Sequence, residues 1–328
     1  MAQEWSRELQ TAVEAVRQAS LVCRAVQKQI APEALAKKDK SPVTIADFSS
    51  QAIVGRHLER ELPDDPLLAE EDAAALREGE NAPFLGQIET FLKGAGIDGS
   101  PEQILAWIDR GNAPGYSPRF WTLDPIDGTK GFLRGEQYAV SLALIINGEI
   151  TVAALGCPNL ADPVSGATGL IFAAVKGQGA TVVPLDQADQ KPRSVRVSAQ
   201  QNIKQARVCE SVESGHSAQD VSALVVRDLG IEANPVRLDS QAKYGMVAFG
   251  GAEIYLRLPT RADYREKIWD HAGGVLIVTE SGGTVTDVAG KPLDWTHGAE
   301  LSVNRGVVVS NGAWHGRILE VLAQHGVK

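Results

Sequence analysis

The sequence has few cysteines and no excess of basic charge. Its 328 residues include 3 cysteines, Cys23, Cys157 and Cys209, which form neither a close pair nor a C-x-x-C motif. A disulfide framework is therefore not expected, and a reducing compartment fits the composition. Lys and Arg number 32 against 41 Asp and Glu, giving a formal net charge of −9. Without a basic excess to displace phosphate counterions, the chain is not expected to bind nucleic acid generally.

Long apolar runs and targeting signals are also missing. The longest useful apolar run, residues 139–146, is far shorter than the roughly 18 residues of a membrane-spanning helix. The first residues carry Glu4, Arg7 and Glu8 and show no signal-peptide core, so we expect a cytoplasmic protein with no membrane partner. Hydrophobic residues make up 44% of the chain, enough for a sizeable core. The length suits about two domains.

The pattern of apolar residues predicts helices and then antiparallel strands in the first part of the chain. The predicted helices cover residues 3–30, 44–62, 83–93 and a segment starting at Ser100, and the predicted strands cover residues 120–123, 138–146, 149–155, 171–175 and 181–183. From about residue 200, strands and helices alternate. We therefore predict an α+β half over residues 1–195 and an α/β half over residues 196–328.

The densest chemical signal is W-T-L-D-P-I-D-G-T at residues 121–129. A strand is expected to deliver Asp124 to its end, because Pro125 cannot continue the hydrogen-bonded ladder. Gly128 then permits a tight turn, and the backbone N–H groups that follow can face a phosphate.

Two carboxylates, a carbonyl and a hydroxyl fall within six residues of this segment. They belong to Asp124, Asp127, Ile126 and Thr129 respectively. Hard oxygen ligands grouped in this way suit Mg²⁺. For this segment alone, a solvated turn with a capping Asp is the competing interpretation.

Acidic residues in three other segments are candidates for the same site. Residues 70–72 (Glu-Glu-Asp) follow an apolar pair, Asp270 follows Trp269 at the start of an apolar segment, and Asp47 lies near a predicted helix start. Each has a structural alternative: a solvated face for residues 70–72, and helix capping for Asp270 and Asp47.

Several common catalytic motifs are absent. The chain has no G-x-x-x-x-G-K-[ST], no H-E-x-x-H and no G-x-S-x-G, and its 6 histidines form no metal-spaced pair. A G-x-G-x-x-G occurs at Gly94, Gly96 and Gly99, but it follows a predicted helix rather than a strand. We therefore interpret it as a loop and not as a dinucleotide site.

Taken together, these segments resemble the inositol monophosphatase superfamily of Mg²⁺-dependent, lithium-sensitive phosphatases. The family pattern D-P-[IL]-D-G-[ST] matches residues 124–129, and W-D-x-x-[AG] matches residues 269–273. Within the superfamily the chain is most similar to the 3'(2'),5'-bisphosphate nucleotidases. The matching segments are residues 40–44, 127–138, 213–217, 239–244 and 266–271, and the resemblance spans residues 8–325.

The resemblance implies a mixed α+β and α/β architecture, the layered α/β/α/β sugar-phosphatase fold, with the site between the two halves. It implies hydrolysis of the 3'-phosphate of 3'-phosphoadenosine 5'-phosphate to AMP and phosphate. It also implies Mg²⁺ as cofactor, inhibition by Li⁺, a small nucleotide as substrate, and a monomer or homodimer. Ala69 stands where many relatives have Gly, and residues 73–118 match no motif and receive no role.

The resemblance also assigns roles to individual residues. The implied metal ligands are Glu70, Asp124, the carbonyl of Ile126, Asp127 and Asp270, with Glu71 as the alternative to Glu70. Asp47 and Thr129 are implied as the pair that takes a proton from the attacking water. The implied substrate contacts are Gly128, Thr129, His216, Ser240, Lys243, Arg257 and Asp270.

Lys243 is the residue expected to select the substrate. It follows Ser240 by three residues, so we expect both on one helix face, where the ammonium group meets the second phosphate. A surface lysine, a helix cap and a salt-bridged arginine are the ordinary alternatives for Lys243, Ser240 and Arg257.

Two other functions compete with the bisphosphate nucleotidase. One is another enzyme of the superfamily, an inositol monophosphatase or an inositol polyphosphate 1-phosphatase, which would share the metal site. The other is a non-catalytic nucleotide or metal sensor, which is disfavoured because all the implied metal and base residues are present. Whether 3'-phosphoadenosine 5'-phosphosulfate is also a substrate, and whether the role is sulfur assimilation or salt tolerance, stay open.

Overall fold

The computed structural model describes residues 5–29, 34–36, 42–212, 219–261 and 263–327. Its α-helices are α1 (Ser6–Gln29), α2 (Ile45–Glu61), α3 (Ala82–Gly94), α4 (Pro101–Asp109), α5 (Thr129–Leu133), α6 (Gln219–Leu229), α7 (Ala242–Ala248), α8 (Ala272–Glu280) and α9 (His315–Gln324). Its strands are β1 (Ala34–Ala36), β2 (Pro42–Thr44), β3 (Leu67–Ala69), β4 (Arg119–Asp127), β5 (Ala139–Ile146), β6 (Glu149–Ala161), β7 (Thr168–Val175), β8 (Gly179–Pro184), β9 (Arg193–Ser194), β10 (Val208–Glu210), β11 (Val236–Arg237), β12 (Ile254–Arg257), β13 (Thr284–Thr286) and β14 (Val307–Ser310).

Five strands are not predicted by the apolar pattern: β1, β2, β3, β9 and β13. Each is two or three residues long. Segments of this length hold too few residues to display a period-2 alternation, so only their pairing partners reveal them.

Seven strands form the first sheet, in the order β3-β4-β5-β6-β7-β8-β9. Neighbouring strands run antiparallel except β3 and β4, which run parallel. The turn from β5 to β6 has φ angles of 50° at Asn147 and 79° at Gly148. Positive values at both positions are what an Asn-Gly hairpin requires. The antiparallel meander predicted for this part of the chain is therefore confirmed.

Strand β4 does not end at Asp124, and the expectation that Pro125 stops the ladder is wrong. Asp124 pairs with Ser141 of β5 and Asp127 pairs with Ala139, so three steps on β4 match two steps on β5. A one-residue bulge tolerates a proline because the ladder is already interrupted there. Since directly paired residues share a face, the bulge places Asp124 and Asp127 on the same face of the sheet.

Five strands form the second sheet, in the order β11-β10-β12-β14-β13. β10 runs parallel to both of its neighbours, whereas β14 runs antiparallel to β12 and β13. The alternation of helices and strands after residue 200 thus builds a mixed sheet.

The helices and sheets form layers. α1 and α2 cover one face of the first sheet, and α8 packs on the other face. α7 contacts α8 and also the second sheet, so α7 and α8 form the middle layer. The expected layered α/β/α/β fold is confirmed, and the structure adds an outer layer in which α6 and α9 pack on the second sheet.

Residues 73–118 extend the first helical layer. They form two short 3₁₀ turns and then α3 and α4, and both helices pack against α2. Gly55 of α2 permits the close approach of α4, because a Cβ atom there would lie 2.1 Å from the carbonyl oxygen of Trp107. The glycine-rich segment from Gly94 to Gly99 ends α3 and leads into α4, as expected for a loop.

The predicted boundary at residue 195 follows β9, the last strand of the first sheet, and precedes β10, the first strand of the second. α7 and α8 come after this boundary but occupy the layer between the two sheets. Across the described ranges, every helix is too short or too polar to cross a lipid bilayer.

Candidate active site

A cavity of about 270 Å³ opens where the carboxyl ends of β3 and β4 approach the starts of α7 and α8. Carboxylates, hydroxyls, three basic side chains and two tyrosines line it. Among the lining residues are Glu70, Asp127, Gly128, Thr129, Ser240, Lys243, Tyr255, Arg257, Tyr264 and Asp270. We call Glu70, Asp124, Asp127 and Asp270 the acidic cluster, and Lys243 and Arg257 the basic pair.

Glu70 reaches the cavity because β3 pairs with β4. Ala69 lies beside Leu123 in the parallel ladder, and the Glu70 N–H donates to the carbonyl of Leu123 over 3.3 Å. The next residue, Glu71, is buried, and its backbone is held by Gln51 of α2. Glu70 lines the cavity and Glu71 does not, which favours Glu70 as the ligand.

Asp124 and Asp127 come together through the bulge of β4. Burial raises the pKa of Asp124 well above its usual range, and the carboxylates of Glu70, Asp127 and Asp270 raise it further. Burial also raises the pKa of Asp127, although Lys243 opposes this effect. Two carboxylates of one strand therefore share a site in which negative charge is costly.

Asp270 completes the acidic cluster from the segment that precedes α8. Burial raises its pKa well above the usual range, and Asp127 and Glu70 add to the rise. In the described part of the chain, Oδ1 of Asp124 is buried and has no hydrogen-bond partner. Four carboxylates, one with an unsatisfied buried oxygen, fit a hard divalent cation such as Mg²⁺.

Asp47 belongs both to the helix cap of α2 and to the site. Its Oδ2 accepts from the N–H of Thr44 over 2.8 Å and from the Thr44 hydroxyl over 2.6 Å, which forms a capping box. Its other oxygen, Oδ1, lies 3.5 Å from the hydroxyl of Thr129. The capping interpretation and the catalytic interpretation therefore use different oxygens of one carboxylate.

The turn after β4 brings Gly128 close to Ser240 and positions the hydroxyl of Thr129. Gly128 has a φ of 87°, and a Cβ atom there would lie 2.9 Å from the Cβ of Ser240. Gly128 therefore allows both the left-handed turn and the close approach of the second half. The Thr129 hydroxyl also lies 3.3 Å from the carbonyl oxygen of Ile126, which places that predicted ligand atom beside the hydroxyl.

Ser240 and Lys243 do not share a helix face, so that expectation is wrong. α7 begins at Ala242, and Ser240 precedes it with a φ of 68°. This left-handed conformation is uncommon for a residue other than glycine. Ser240 Oγ accepts from the N–H of Ala242 over 3.1 Å. Both Ser240 and Lys243 still line the cavity, because a turn and not a helical repeat positions them.

Lys243 is buried, with 3% of its surface exposed. Its Nζ lies 5.2 Å from the ring centroid of Tyr255 and donates to the carbonyl of Leu238 over 3.3 Å. Burial lowers the pKa of Lys243 to about 8, partly opposed by the attraction of Asp127. The interpretation of Lys243 as a surface lysine is therefore excluded.

Gln241 joins the two halves of the molecule behind the cavity. Its backbone N–H donates to Oδ2 of Asp127. Its side-chain amide donates to the carbonyl of Trp269 over 2.9 Å, and its side-chain oxygen accepts from the Ser141 hydroxyl over 3.0 Å and from the N–H of Gly274 over 3.2 Å. One buried residue thus connects β5, α7, α8 and a carboxylate of the acidic cluster.

The inositol monophosphatase family model matches residues 4–326 of the chain. The chain belongs to the inositol monophosphatase family. It is 44% identical over 334 residues to a 3'(2'),5'-bisphosphate nucleotidase of Schizosaccharomyces pombe, which covers 96% of this chain and 95% of the relative. It is 41% identical over 328 residues to the 3'(2'),5'-bisphosphate nucleotidase of Oryza sativa, covering 94% of this chain and 91% of that relative.

Solved structures of inositol monophosphatases share the fold. The Thermotoga maritima IMPase gives a TM-score of 0.65 at 20% identity, covering 98% of this chain and 99% of that chain. The inositol monophosphatase from Anabaena gives a TM-score of 0.62 at 21% identity, covering 97% and 95%. Members of the inositol monophosphatase family generally depend on Mg²⁺, and the acidic cluster suits this ion.

The structure places most of the predicted site residues of this family member in one cavity. His216 lies outside the described residues. Four other lining residues have no role in the sequence analysis: Lys130, Tyr255, Tyr264 and His271. The position of Tyr255 two residues before Arg257 on β12 is a usable signal, because alternate residues of a strand share a face. Tyr264 lies on a loop and offers no periodic signal.

Proposed function

We propose that the chain hydrolyses the 3'-phosphate of 3'-phosphoadenosine 5'-phosphate and gives AMP and phosphate. The observation that carries the proposal is one cavity lined by carboxylates of the acidic cluster and by the basic pair, of which Lys243 is buried and Arg257 is half-buried. A metal-assisted phosphatase needs the acidic cluster to hold the metal that acts on the phosphate it removes. A substrate with a second phosphate needs the basic pair to bind that phosphate. Relatives named 3'(2'),5'-bisphosphate nucleotidase, at 38% to 44% identity over nearly the full chain, support this choice.

Five groups of the chain would hold Mg²⁺. They are the carboxylates of Glu70, Asp124, Asp127 and Asp270 and the carbonyl of Ile126. When bound, the ion lowers the pKa of a water nucleophile and stabilises the charge that develops on the phosphate oxygens. The clustered carboxylates would balance the charge of the cation.

Asp47 and Thr129 would handle the proton of the attacking water. The Thr129 hydroxyl lies within reach of Asp47 Oδ1, so it can pass a proton toward that oxygen. Oδ2 is held by the cap of α2, which fixes the orientation of the carboxylate. A general base positioned in this way contributes typically about 10²–10⁴-fold to a rate.

The remaining contacts would bind the nucleotide. The turn at Gly128 and Thr129 offers backbone N–H groups and a hydroxyl to the phosphate that is removed. Ser240, Lys243 and Arg257 would contact the phosphate that stays, and His216 would position the nucleoside. The basic pair supports this assignment, because charge-assisted hydrogen bonds are the strong contacts that a phosphate makes.

A panel of substrates tests the proposal. Phosphate release is measured with Mg²⁺ on 3'-phosphoadenosine 5'-phosphate, 3'-AMP, 3'-phosphoadenosine 5'-phosphosulfate, inositol 1-phosphate and an inositol polyphosphate, each with and without Li⁺. We expect the highest kcat/KM on 3'-phosphoadenosine 5'-phosphate and inhibition by Li⁺. Higher turnover of an inositol phosphate would replace the proposal with the inositol phosphatase alternative.

Asp127→Asn is the control for contaminating phosphatases, because it removes one carboxylate of the acidic cluster without a change in side-chain size. Activity that persists in this variant does not come from the cavity. Absence of turnover of every substrate by the wild-type protein, combined with tight binding of the nucleotide, would favour the non-catalytic sensor.

A further inference from the structure

Arg257 is held by a carboxylate that does not line the cavity. Its Nε lies 3.2 Å from both oxygens of Glu266, and a terminal nitrogen lies 3.5 Å from the hydroxyl of Tyr264. Glu266 is 5% exposed and is absent from the cavity wall. Glu266 therefore binds Arg257 from the protein interior and leaves the cavity side of the guanidinium for a ligand.

Two further side chains continue this network, and one of them, His271, also lines the cavity. The Nε2 of His271 lies 3.2 Å from Oε2 of Glu266, and the Nδ1 of His271 lies 2.7 Å from the hydroxyl of Tyr244. His271 and Tyr244 are buried. The chain Tyr244–His271–Glu266–Arg257 thus ties the end of β12 to α7 and to the start of α8.

Charge explains why Arg257 needs this anchor. Lys243 is buried and the nearby Arg257, which is half-buried, lowers its pKa further, while the carboxylates of Asp127 and Asp270 attract the guanidinium. Burial alone would lower the pKa of Arg257, but Glu266 holds it above its usual range. Without the negative charge of Glu266, the strongest attraction on Arg257 would come from the acidic cluster.

We propose that Glu266 is a positioning residue that fixes Arg257 for the phosphate that is not hydrolysed. It gives the guanidinium a close carboxylate partner other than Asp270, whose carboxylate lies within 4.8 Å of Glu266, and so leaves Asp270 to the metal. The inference rests on the proposed function, because it presumes a substrate with two phosphates. In this proposal Glu266 contacts neither phosphate, yet it sets the preference for the bisphosphate.

The variant Glu266→Gln tests the proposal, because it keeps the shape of the side chain and removes its charge. The measured quantity is kcat/KM on 3'-phosphoadenosine 5'-phosphate divided by kcat/KM on 3'-AMP. We expect this ratio to fall about 10-fold, because a charge-assisted contact to the second phosphate is lost. Inhibition by AMP should weaken by a similar factor, and inhibition by inorganic phosphate should weaken much less.

Glu253→Gln is the matched control. Glu253 is 1% exposed and pairs with Arg207 through contacts of 2.7 and 3.2 Å. It lies at the opposite end of β12 from Arg257, on the order of 13 Å away along the strand. The control loses a buried ion pair and should lower the melting temperature, but it should leave the substrate ratio at the wild-type value.

A double variant shows whether Glu266 acts through Arg257. In an Arg257→Ala background, adding Glu266→Gln should change the ratio by less than about twofold. A further fall in that background, or an equal loss on both substrates in Glu266→Gln alone, would overturn the inference and leave the proposed function standing. A wild-type enzyme without preference for the bisphosphate would overturn the proposed function and this inference together.

Discussion

The basic pair and three carboxylates of the acidic cluster line the same cavity, with Asp124 buried beside them, but the protein treats the two charges differently. The acidic carboxylates face one another, and burial together with their mutual repulsion raises the pKa of Asp124 and Asp270. The basic pair is supported by the protein itself, with Lys243 over the ring of Tyr255 and Arg257 bound to Glu266. The acidic cluster thus carries a repulsion that a bound cation would relieve, whereas the basic pair already has partners within the protein.

This difference predicts two classes of variant. Changes in the acidic cluster should affect every substrate, because all of them share the metal site. Changes in the basic pair should separate the bisphosphate from substrates with a single phosphate. The following experiments test that separation.

The largest effect is expected for Asp124→Asn and Asp127→Asn. Each variant removes a ligand charge that no neighbour replaces, so Mg²⁺-dependent turnover should fall more than about 100-fold on the bisphosphate and on 3'-AMP alike. The check is phosphate release at saturating Mg²⁺, with circular dichroism to show that the fold is retained. Near-normal activity in either variant would remove its residue from the metal site.

The next effect concerns Asp47→Asn, in which the catalytic and capping roles can be separated. Loss of the base should lower kcat about 10²–10⁴-fold on both substrates, and loss of the cap should lower stability by about 1 kcal/mol. The matched control is Gln103→Ala, which disrupts the similar capping box of α4 at Ser100. If kcat falls no further in Asp47→Asn than in this control, Asp47 is only a cap.

Lys243→Ala should lower kcat/KM for the bisphosphate much more than for 3'-AMP. A charge-assisted contact contributes about 1.5–3 kcal/mol, so kcat/KM for 3'-phosphoadenosine 5'-phosphate should fall roughly 10- to 150-fold. Turnover of 3'-AMP should barely change, because that substrate lacks the second phosphate. Equal losses on both substrates would assign Lys243 to the fold or to the metal site.

A smaller effect follows from the lowered pKa of Lys243. With a pKa of about 8, the amine carries its charge below that pH and loses it as the pH rises through it. Preference for the bisphosphate over 3'-AMP should therefore be constant up to neutral pH and fall roughly fourfold between pH 7 and pH 8.5. Lys243→Ala should show a flat ratio over this range. A wild-type ratio that is equally flat would contradict the assignment.

The smallest expected effect is on the stability of the metal-free protein. Because the pKa of Asp124 is raised on folding, the folded protein binds a proton there more tightly than the unfolded chain. The contribution of Asp124 to folding stability is therefore present at low pH and is lost as the pH rises through its raised pKa. In a chelator at neutral pH, Asp124→Asn should melt a few degrees above the wild type. Excess Mg²⁺ should remove or reverse that difference.

The acidic cluster was predictable from sequence because its residues lie in short contiguous segments. Asp124, Ile126 and Asp127 share one motif, and Asp270 follows Trp269 in another. The arrangement of these residues was not predictable. The bulge of β4 becomes visible only in the register with β5, and β3, which delivers Glu70, is too short for a periodic pattern.

The surroundings of the basic pair were harder to predict. Ser240 adopts a left-handed conformation that its residue type does not favour, so a helical repeat gave the wrong relation to Lys243. The contact of Glu266 with Arg257 joins a loop to the end of β12, and no local spacing encodes such a pair. Local motifs therefore predicted residues that mostly line one cavity, and tertiary contacts decide how these residues meet.

The hydrogen bonds of Gln241 limit how this enzyme can be recombined with its relatives. A chimera that takes its second sheet from another family member, in order to acquire a different specificity, also replaces the donor to Asp127 and the partners of Ser141. Such an exchange succeeds only if residues 239–241 and 269–274 are transferred together or kept together. If the proposed site is correct, the residues that select the substrate and Asp127 of the acidic cluster must be exchanged as one block.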